Sequence, residues 1–490
     1  MRKILLQFSK KDFEYDVYSL VRAFYPSCDV AITYVGEEGQ AGEFDRLFLI
    51  DYEENQILYT IKEKESLLFQ EAVPATAQME RTERKNRLKQ TVYRSLVKLT
   101  GKELPWGTLT GIRPTKIPMQ MMEQGMGNGE IAQYMRQTYY TSNEKTALAI
   151  AVANQEKALL APFDYENGYS LYVGIPFCPS ICLYCSFGSH PLKLWEKRME
   201  EYLEALEKEL SFVSEAFAGK KLNSVYIGGG TPTTLHSDQL KRLLRKICQK
   251  FDLSHLQEFT VEAGRPDSIT REKLLILKEF PVDRISINPQ TMHQKTLDLI
   301  GRGHTVEQIY ESYHLARELG FDNINMDLIV GLPGEGEKEV EETLRQIKGL
   351  NPDSLTVHSL SLKRATRLNL FKDQYQENSF ENSREIMNMA ASCAAEMEMR
   401  PYYLYRQKNI AGNFENVGYA KVDKAGIYNI LIMEEKQTIM AVGAGASTKL
   451  VFDRGQRIER VENVKDVNHY ISRIDEMITR KKTGIEKWLR

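Results

Sequence analysis

"GIPFCPSICLYCSFGSHP", residues 174–191, places three of the chain's six cysteines, Cys178, Cys182 and Cys185, within eight positions. It overlaps "SLYVGIPF" (170–177), an apolar run rich in branched and aromatic residues that reads as a buried strand. The three thiols therefore fall in the loop at that strand's C-terminal end. Cys28, Cys248 and Cys393 are isolated and read as small buried apolar residues. A disulfide framework spreads its pairs through a small secreted domain, whereas clustered thiols in a 490-residue chain point to a metal or redox site. On spacing alone C-x3-C-x2-C admits two readings. Structural zinc wants four ligands, with His190 as a candidate for the last. A 4Fe–4S cluster on three thiolates leaves one iron open for a substrate or cofactor.

Outward from this loop the pattern repeats. Strand-like runs recur at "NSVYIGGG" (223–230), "EFTVEAG" (258–264), "DRISINPQ" (283–290), "NINMDLIVG" (323–331) and "SLTVHSL" (354–360). Amphipathic segments such as "HSDQLKRLLRKICQKF" (236–251) and "TREKLLILKEF" (270–280) lie between them. Six β–α units in series predict an α/β fold with a parallel sheet, curled as an open barrel or doubly wound. In such folds active sites gather at the C-terminal ends of the strands, where the polar motifs of this chain fall. Upstream, residues 1–78 mix short apolar runs with one helical stretch near 15–25 and predict a small α/β domain. Residues 79–165 are predicted helical, broken by "GKELPWGTLTGIRPTKIP" (101–118), and "APFDYENG" (161–168) reads as a linker. The barrel is expected over 166–400 and an accessory α+β domain over 401–490.

With 42% hydrophobic and 27% charged residues the composition is that of a globular protein. A net charge of −2 gives no global attraction to nucleic acid or to a membrane. The apolar run near the start, "KILLQF", is far too short for a signal peptide or a span. A cytoplasmic monomer, with neither membrane nor nucleic acid as partner, is expected.

C-x3-C-x2-C after a first strand, with Tyr184 just before the last cysteine, resembles the radical S-adenosylmethionine superfamily. "LYVGIPFC", "YIGGGTPTTL", "NPQTMHQKTLDLIGRGHT" and "NINMDLIVGLPGE" resemble the oxygen-independent coproporphyrinogen III dehydrogenase family. "LPWGTLTGIRPTK" and "YLYRQKNIAGNFENVGYA" are similar to its HemZ-type branch. The resemblance covers roughly 105–450. It implies a partial (β/α)6 TIM-like barrel carrying a 4Fe–4S cluster on Cys178, Cys182 and Cys185. One or two S-adenosylmethionine molecules are implied with it, the first filling the place of a fourth cysteine.

By the same resemblance Tyr172, Tyr184, Gly229, Gly230, Thr231, Glu262, Gln290, Arg302 and Asp327 match cofactor-binding positions. Among these, Tyr184 is matched to the adenine region, Gly229, Gly230 and Thr231 to the methionine moiety, and Arg302 to a carboxylate. Ser359 falls near another such contact. The implied activity is oxidative decarboxylation of two propionates of coproporphyrinogen III to vinyl groups in heme biosynthesis, giving protoporphyrinogen IX. A small flavodoxin- or ferredoxin-type protein is implied as reductant. No side chain need act as acid or base, so no catalytic residue is named beyond the cluster ligands. A substrate with four carboxylates needs cations, and Arg113, Arg265, Arg364, Arg367, Arg406 and Lys408 are the candidates. Two positions depart from the family pattern: Phe187 stands where a further cysteine is usual, and Gly174 where a histidine is usual. The departures leave open a radical enzyme acting on another tetrapyrrole, as well as a heme-trafficking protein. Against the latter, Tyr428–Asn429 replaces the "HN" pair associated with heme binding in the chaperone branch.

Overall fold

The computed structural model describes residues 3–37, 43–361, 382–407 and 410–488. The chain forms two compact units, Met1–Ala151 with Arg406–Phe414, and Val152–Tyr405 with Glu415–Arg490.

In the first unit the short apolar runs of the N-terminal region become strands Lys3–Phe8, Asp29–Tyr34, Arg46–Tyr52 and Gln56–Glu63, and a fifth, Ser66–Pro74, completes the sheet at one edge. Helices Glu14–Phe24 and Arg81–Thr100 bring Val17, Leu20, Leu88 and Val92 onto it, sealing a core with Phe48 and Tyr59. Arg406 is buried in this unit. Its guanidinium donates to the carbonyls of Leu109 at 2.6 Å, Asn413 at 3.1 Å and Phe414 at 3.3 Å, and lies over the Trp106 ring. These donors are committed to the fold, which removes Arg406 from the substrate-binding cations.

The second unit is built on one eleven-stranded sheet. Its centre is six parallel strands in chain order: Gly168–Ile175, Lys221–Gly229, Glu258–Glu262, Arg284–Ser286, Ile324–Val330 and Ser354–Ser359. They are called here the first to sixth barrel strands. Helices such as Met199–Ala216, Ser237–Lys250, Val306–Glu318 and Glu337–Leu350 make the crossovers that parallel pairing requires. The sheet does not close on itself. Beyond the sixth strand lie the antiparallel strands Asn416–Ala420 and Arg400–Tyr405, and beyond the first lie Thr438–Val442, Ser447–Phe452 and Arg457–Glu462. The result is a partial TIM-like barrel. Among the described residues no helix is long and apolar enough to cross a membrane.

Candidate functional site

Residues opposite one another in a ladder share a face, and each strand returns to that face every second residue. Pairing of Tyr172 with Tyr226, Glu262 with Ser286, and Asp327 with Thr356 therefore lines the barrel interior with polar and aromatic side chains. Tyr172, Tyr226 and Tyr428 stack there, with Tyr226 and Tyr428 centroids 4.4 Å apart. Tyr428 enters from helix Ile427–Glu434, is 4% exposed, and its N–H donates to Glu258 at 3.0 Å.

The cysteine loop leaves the first strand at its C-terminal end and is tied back at several points. Gly230 N–H donates to Ile175 O at 2.9 Å and Thr231 N–H to Phe177 O at 2.7 Å, while Leu183 N–H donates to Ile300 O at 2.9 Å. Cys182 is buried, and Cys178 and Cys185 are half-buried. Burial pushes the Cys178 thiol up to about 11, against the hydrogen bond from the Thr231 hydroxyl at 3.5 Å. A buried thiol of this kind favours the neutral form unless a cation takes the proton's place. Cys182 Sγ lies 3.8 Å from Arg265 Nη1 and 3.9 Å from Arg302 Nη1. Burial, with the same two arginines adding to it, pushes His304 down to about 2, so it is neutral. Two buried guanidinium groups, one of them paired with Asp267, thus face the Cys182 sulfur. Among the described residues no three His, Cys, Asp or Glu side chains gather around a point as a single metal ion demands. His190 packs edge-on against Trp195 at 5.4 Å.

The glycine run makes a cradle. Gly229 has φ 102°, a conformation that favours glycine, and a Cβ there would come within 2.7 Å of the Tyr172 hydroxyl. A Cβ on Gly230 would meet Phe177 O at 2.6 Å. Glu262 lies over this cradle, accepting a hydrogen bond from the Tyr226 hydroxyl and another from Gly229 N–H. Burial raises its carboxyl to about 7, with those hydrogen bonds working against the rise and the Asp327 charge adding to it. Asp327 itself is held low. Burial alone would raise it, but His358, whose Nε2 lies 3.8 Å away, and hydrogen bonds from Asn325 and Thr356 outweigh that cost.

Arg302 is 6% exposed, and its guanidinium donates to Tyr184 OH at 2.9 Å, Gly264 O at 2.9 Å and Asn288 O at 2.6 Å. Gln290 is joined to the fifth strand by its main chain, N–H to Asp327 O and O from Ile329 N–H, both 2.9 Å. The structure therefore brings the cysteines, Thr231, Tyr184 and Arg302 together in one cluster, and Tyr172, Gly229, Gly230 and Glu262 in another, with Gln290 and Asp327 linked on the next strands. Ser359 faces elsewhere: its hydroxyl donates to Glu415 O at 2.8 Å. Arg265 is held by Asp267 at 2.8 Å and by Ser180, so it serves the cysteine loop rather than a substrate carboxylate. Arg113 is half-buried in the first unit; Arg364, Arg367 and Lys408 lie outside the described residues. Sequence reasoning missed Tyr226 and His358 as site residues, although strand alternation from Gly228 and Thr356 would have turned both inward.

These residues fit a cluster with an amino-acid-bearing cofactor beside it. Three thiols at the rim would supply the ligands, the glycines would admit a ligand to the backbone, and Glu262 would offer a carboxylate to an ammonium group.

The folded state holds the Glu262 proton more tightly than the unfolded chain does. The carboxyl thus contributes stability that is complete below about pH 4.5 and is lost as pH rises through about 7. Glu262→Gln keeps an oxygen acceptor for Tyr226 and is expected to remove this decline. In urea unfolding of the metal-free protein the variant should gain at most about 3 kcal/mol over wild type at pH 8 and nothing at pH 4. Equal midpoint differences at both values would show that burial does not perturb Glu262.

Comparison with known proteins places these features in a family. Residues 172–347 match the model of the Radical SAM superfamily. The chain is 40% identical over 401 residues to the oxygen-independent coproporphyrinogen-III oxidase-like protein HemZ of Bacillus subtilis, covering 81% of this chain and 80% of that protein. It is 34% identical over 313 residues to the heme chaperone HemW of the same organism, covering 63% of this chain and 76% of that one. In fold it resembles coproporphyrinogen III oxidase (HemN) from Escherichia coli, with a TM-score of 0.52 and 24% identity over 66% of this chain and 73% of that one.

Proposed function

This chain belongs to the radical S-adenosylmethionine superfamily and, within it, to the coproporphyrinogen-III-oxidase-like family of HemZ type, and from that membership we propose that it is an oxygen-independent coproporphyrinogen III dehydrogenase. Proteins of this superfamily use a 4Fe–4S cluster and S-adenosylmethionine. What carries the proposal is the reach of the likeness to HemZ: it extends over 81% of the chain, far beyond the 172–347 span that bears the superfamily signature.

In this reading Cys178, Cys182 and Cys185 hold the cluster and leave one iron for the cofactor. When bound, cluster and cofactor supply a 5′-deoxyadenosyl radical that takes a hydrogen atom from a propionate side chain. The chain's own residues bind and orient. Gly229, Gly230 and Thr231 admit the methionine moiety to the backbone, Glu262 takes its ammonium, and Tyr184 with Arg302 borders the cluster. Asp327, kept ionised beside His358, and Gln290 complete the cofactor's surroundings. Tyr172, Tyr226 and Tyr428 close the barrel beneath them and exclude water. The position of Tyr428 also bears on heme trafficking. A residue inserted into the barrel and stacked on Tyr226 is not presented to a heme in solution.

The test is anaerobic turnover of cluster-loaded protein with coproporphyrinogen III, S-adenosylmethionine and a strong reductant, with tetrapyrroles followed by mass spectrometry. Stepwise loss of two carboxyl groups is expected, with no stoichiometric heme binding in a parallel absorbance titration. Tight one-to-one heme binding with no decarboxylation would replace this reading by heme trafficking. Formation of 5′-deoxyadenosine over an untouched tetrapyrrole would move the substrate to another molecule.

A further inference from the structure

Reduction places one more negative charge on an iron–sulfur cluster, and hydrogen bonds to its sulfurs help to set the potential at which that happens. Cys178 has the Thr231 hydroxyl at 3.5 Å and Cys185 the Ser189 hydroxyl at 3.6 Å, both neutral groups. Cys182 faces two charged donors, Arg265 Nη1 at 3.8 Å and Arg302 Nη1 at 3.9 Å. Arg302 also holds Tyr184, at the border of the cofactor in the reading above. Arg265 is separable from that border.

Its side chain is fixed from every side. Arg265 follows the third barrel strand and is 3% exposed, and its carbonyl accepts from the Ser268 N–H at 2.9 Å and hydroxyl at 2.7 Å. A guanidinium carries five N–H donors in one plane, and here all five are taken. Nε and Nη2 grip the Asp267 carboxylate at 3.0 and 2.8 Å, the bidentate pairing that orients an arginine most strictly. Nη2 also donates to the Ser180 hydroxyl at 3.1 Å, and Nη1 to the Ser180 carbonyl at 3.2 Å. The fifth N–H goes to Cys182 Sγ. Ser180 lies midway between Cys178 and Cys182, so one side chain both anchors the cysteine loop and addresses one of its sulfurs.

We propose that Arg265 is a positioning residue that sets the reduction potential of the cluster, its N–H bond to Cys182 Sγ favouring the reduced state and Asp267 moderating that effect. The inference rests on the cluster reading above. A charged donor on a ligand sulfur holds the more negative state more strongly, so its loss disfavours reduction. Asp267 works with the opposite sign. Its carboxylate offsets the guanidinium charge, and neutralising it leaves Arg265 uncompensated. An arginine that only anchored the loop would give no such opposition of signs.

The test takes cluster-loaded wild type, Arg265→Met, Asp267→Asn and the double variant, each with its iron content measured. They are poised anaerobically over a series of potentials, and the reduced cluster is counted by electron paramagnetic resonance. At a given potential Arg265→Met should show a reduced-to-oxidised ratio about 10-fold lower than wild type, a midpoint about 59 mV lower for one electron. Asp267→Asn should raise the ratio by about 3-fold or more. The double variant keeps the net charge of wild type but lacks the donor, and its midpoint should lie below that of wild type. If methionine lowers the iron content, Asp267→Asn decides, and a midpoint at or below that of wild type overturns the proposal. Equal midpoints in wild type and Arg265→Met, or shifts of one sign in both single variants, also overturn it. A wild type that holds no cluster overturns the cluster reading itself, and this proposal with it.

Discussion

Cys182→Ser should yield a folded protein that holds no stable 4Fe–4S cluster and cleaves S-adenosylmethionine more than about 100-fold slower, beyond what the loss of an outer-shell partner costs at metal sites. A serine hydroxyl does not ionise near neutral pH, so on the proposed reading the substitution deletes an anionic ligand from a set of three that has no reserve. The location sharpens the expectation. Cys182 is 8% exposed, and its sulfur lies within 4 Å of both Arg265 and Arg302, so the substitution changes the one group that both buried guanidiniums face. Cys248→Ser and Cys393→Ser are the controls. Those cysteines lie on helices Ser237–Lys250 and Arg384–Glu396, away from the loop, and should leave iron content and cleavage unchanged. Iron analysis and quantified 5′-deoxyadenosine check both halves. Retention of full cleavage by Cys182→Ser would remove the cluster from this loop.

The second large effect is on stability. Lys481, on helix Ile474–Trp488, is fully buried against Glu209 of helix Met199–Ala216, Nζ to Oε1 2.6 Å. Glu209 also accepts from Asn463 at 2.8 Å, Tyr470 at 2.5 Å and Gly443 N–H at 2.9 Å. Gly443 in turn packs on Gly174, where a Cβ on Gly443 would come within 2.5 Å of the Gly174 carbonyl. That carbonyl accepts from Tyr202 at 2.7 Å. The network thus braces the first barrel strand four residues before Cys178, at the position where a histidine is usual. Lys481→Met preserves the volume but strands a buried carboxylate, which costs about 3–5 kcal/mol. The urea midpoint should fall accordingly, and a loss below about 1 kcal/mol would mean that water reaches Glu209.

Most of the barrel could be read from the sequence because its strands are buried on both faces and carry short runs rich in branched and aromatic residues, with helical periodicity between them. Five of the six runs match their strands within about two residues. The fourth is shorter: Arg284–Ser286 is regular, Pro289 has no N–H to give the ladder, and Gln290 rejoins the fifth strand in an isolated bridge with Leu328. Partners were less legible than elements. Nothing in the sequence of the region expected as an accessory domain says that its strand Thr438–Val442 pairs with Gly168–Ile175. The edge strand Ser66–Pro74, with mixed burial, gives only a weak pattern. Charge misled for a related reason. Arg265 and Arg406 look like solvated or substrate-binding cations in a sequence, yet both are buried, one beside the cysteine loop and one among main-chain carbonyls. The cysteines were legible because their spacing is itself the chemistry. Tyr226 and His358 sit in no such motif, and only strand alternation, once the register is known, turns them inward.

The decisive measurement is electron paramagnetic resonance of the reduced, cluster-loaded protein before and after addition of S-adenosylmethionine labelled with 15N at its amino group. Three thiolates with one open iron predict a changed cluster signal and a hyperfine coupling from the label. An unchanged signal with no coupling would mean that no iron is open to the cofactor, and would contradict the reading of residues 174–191.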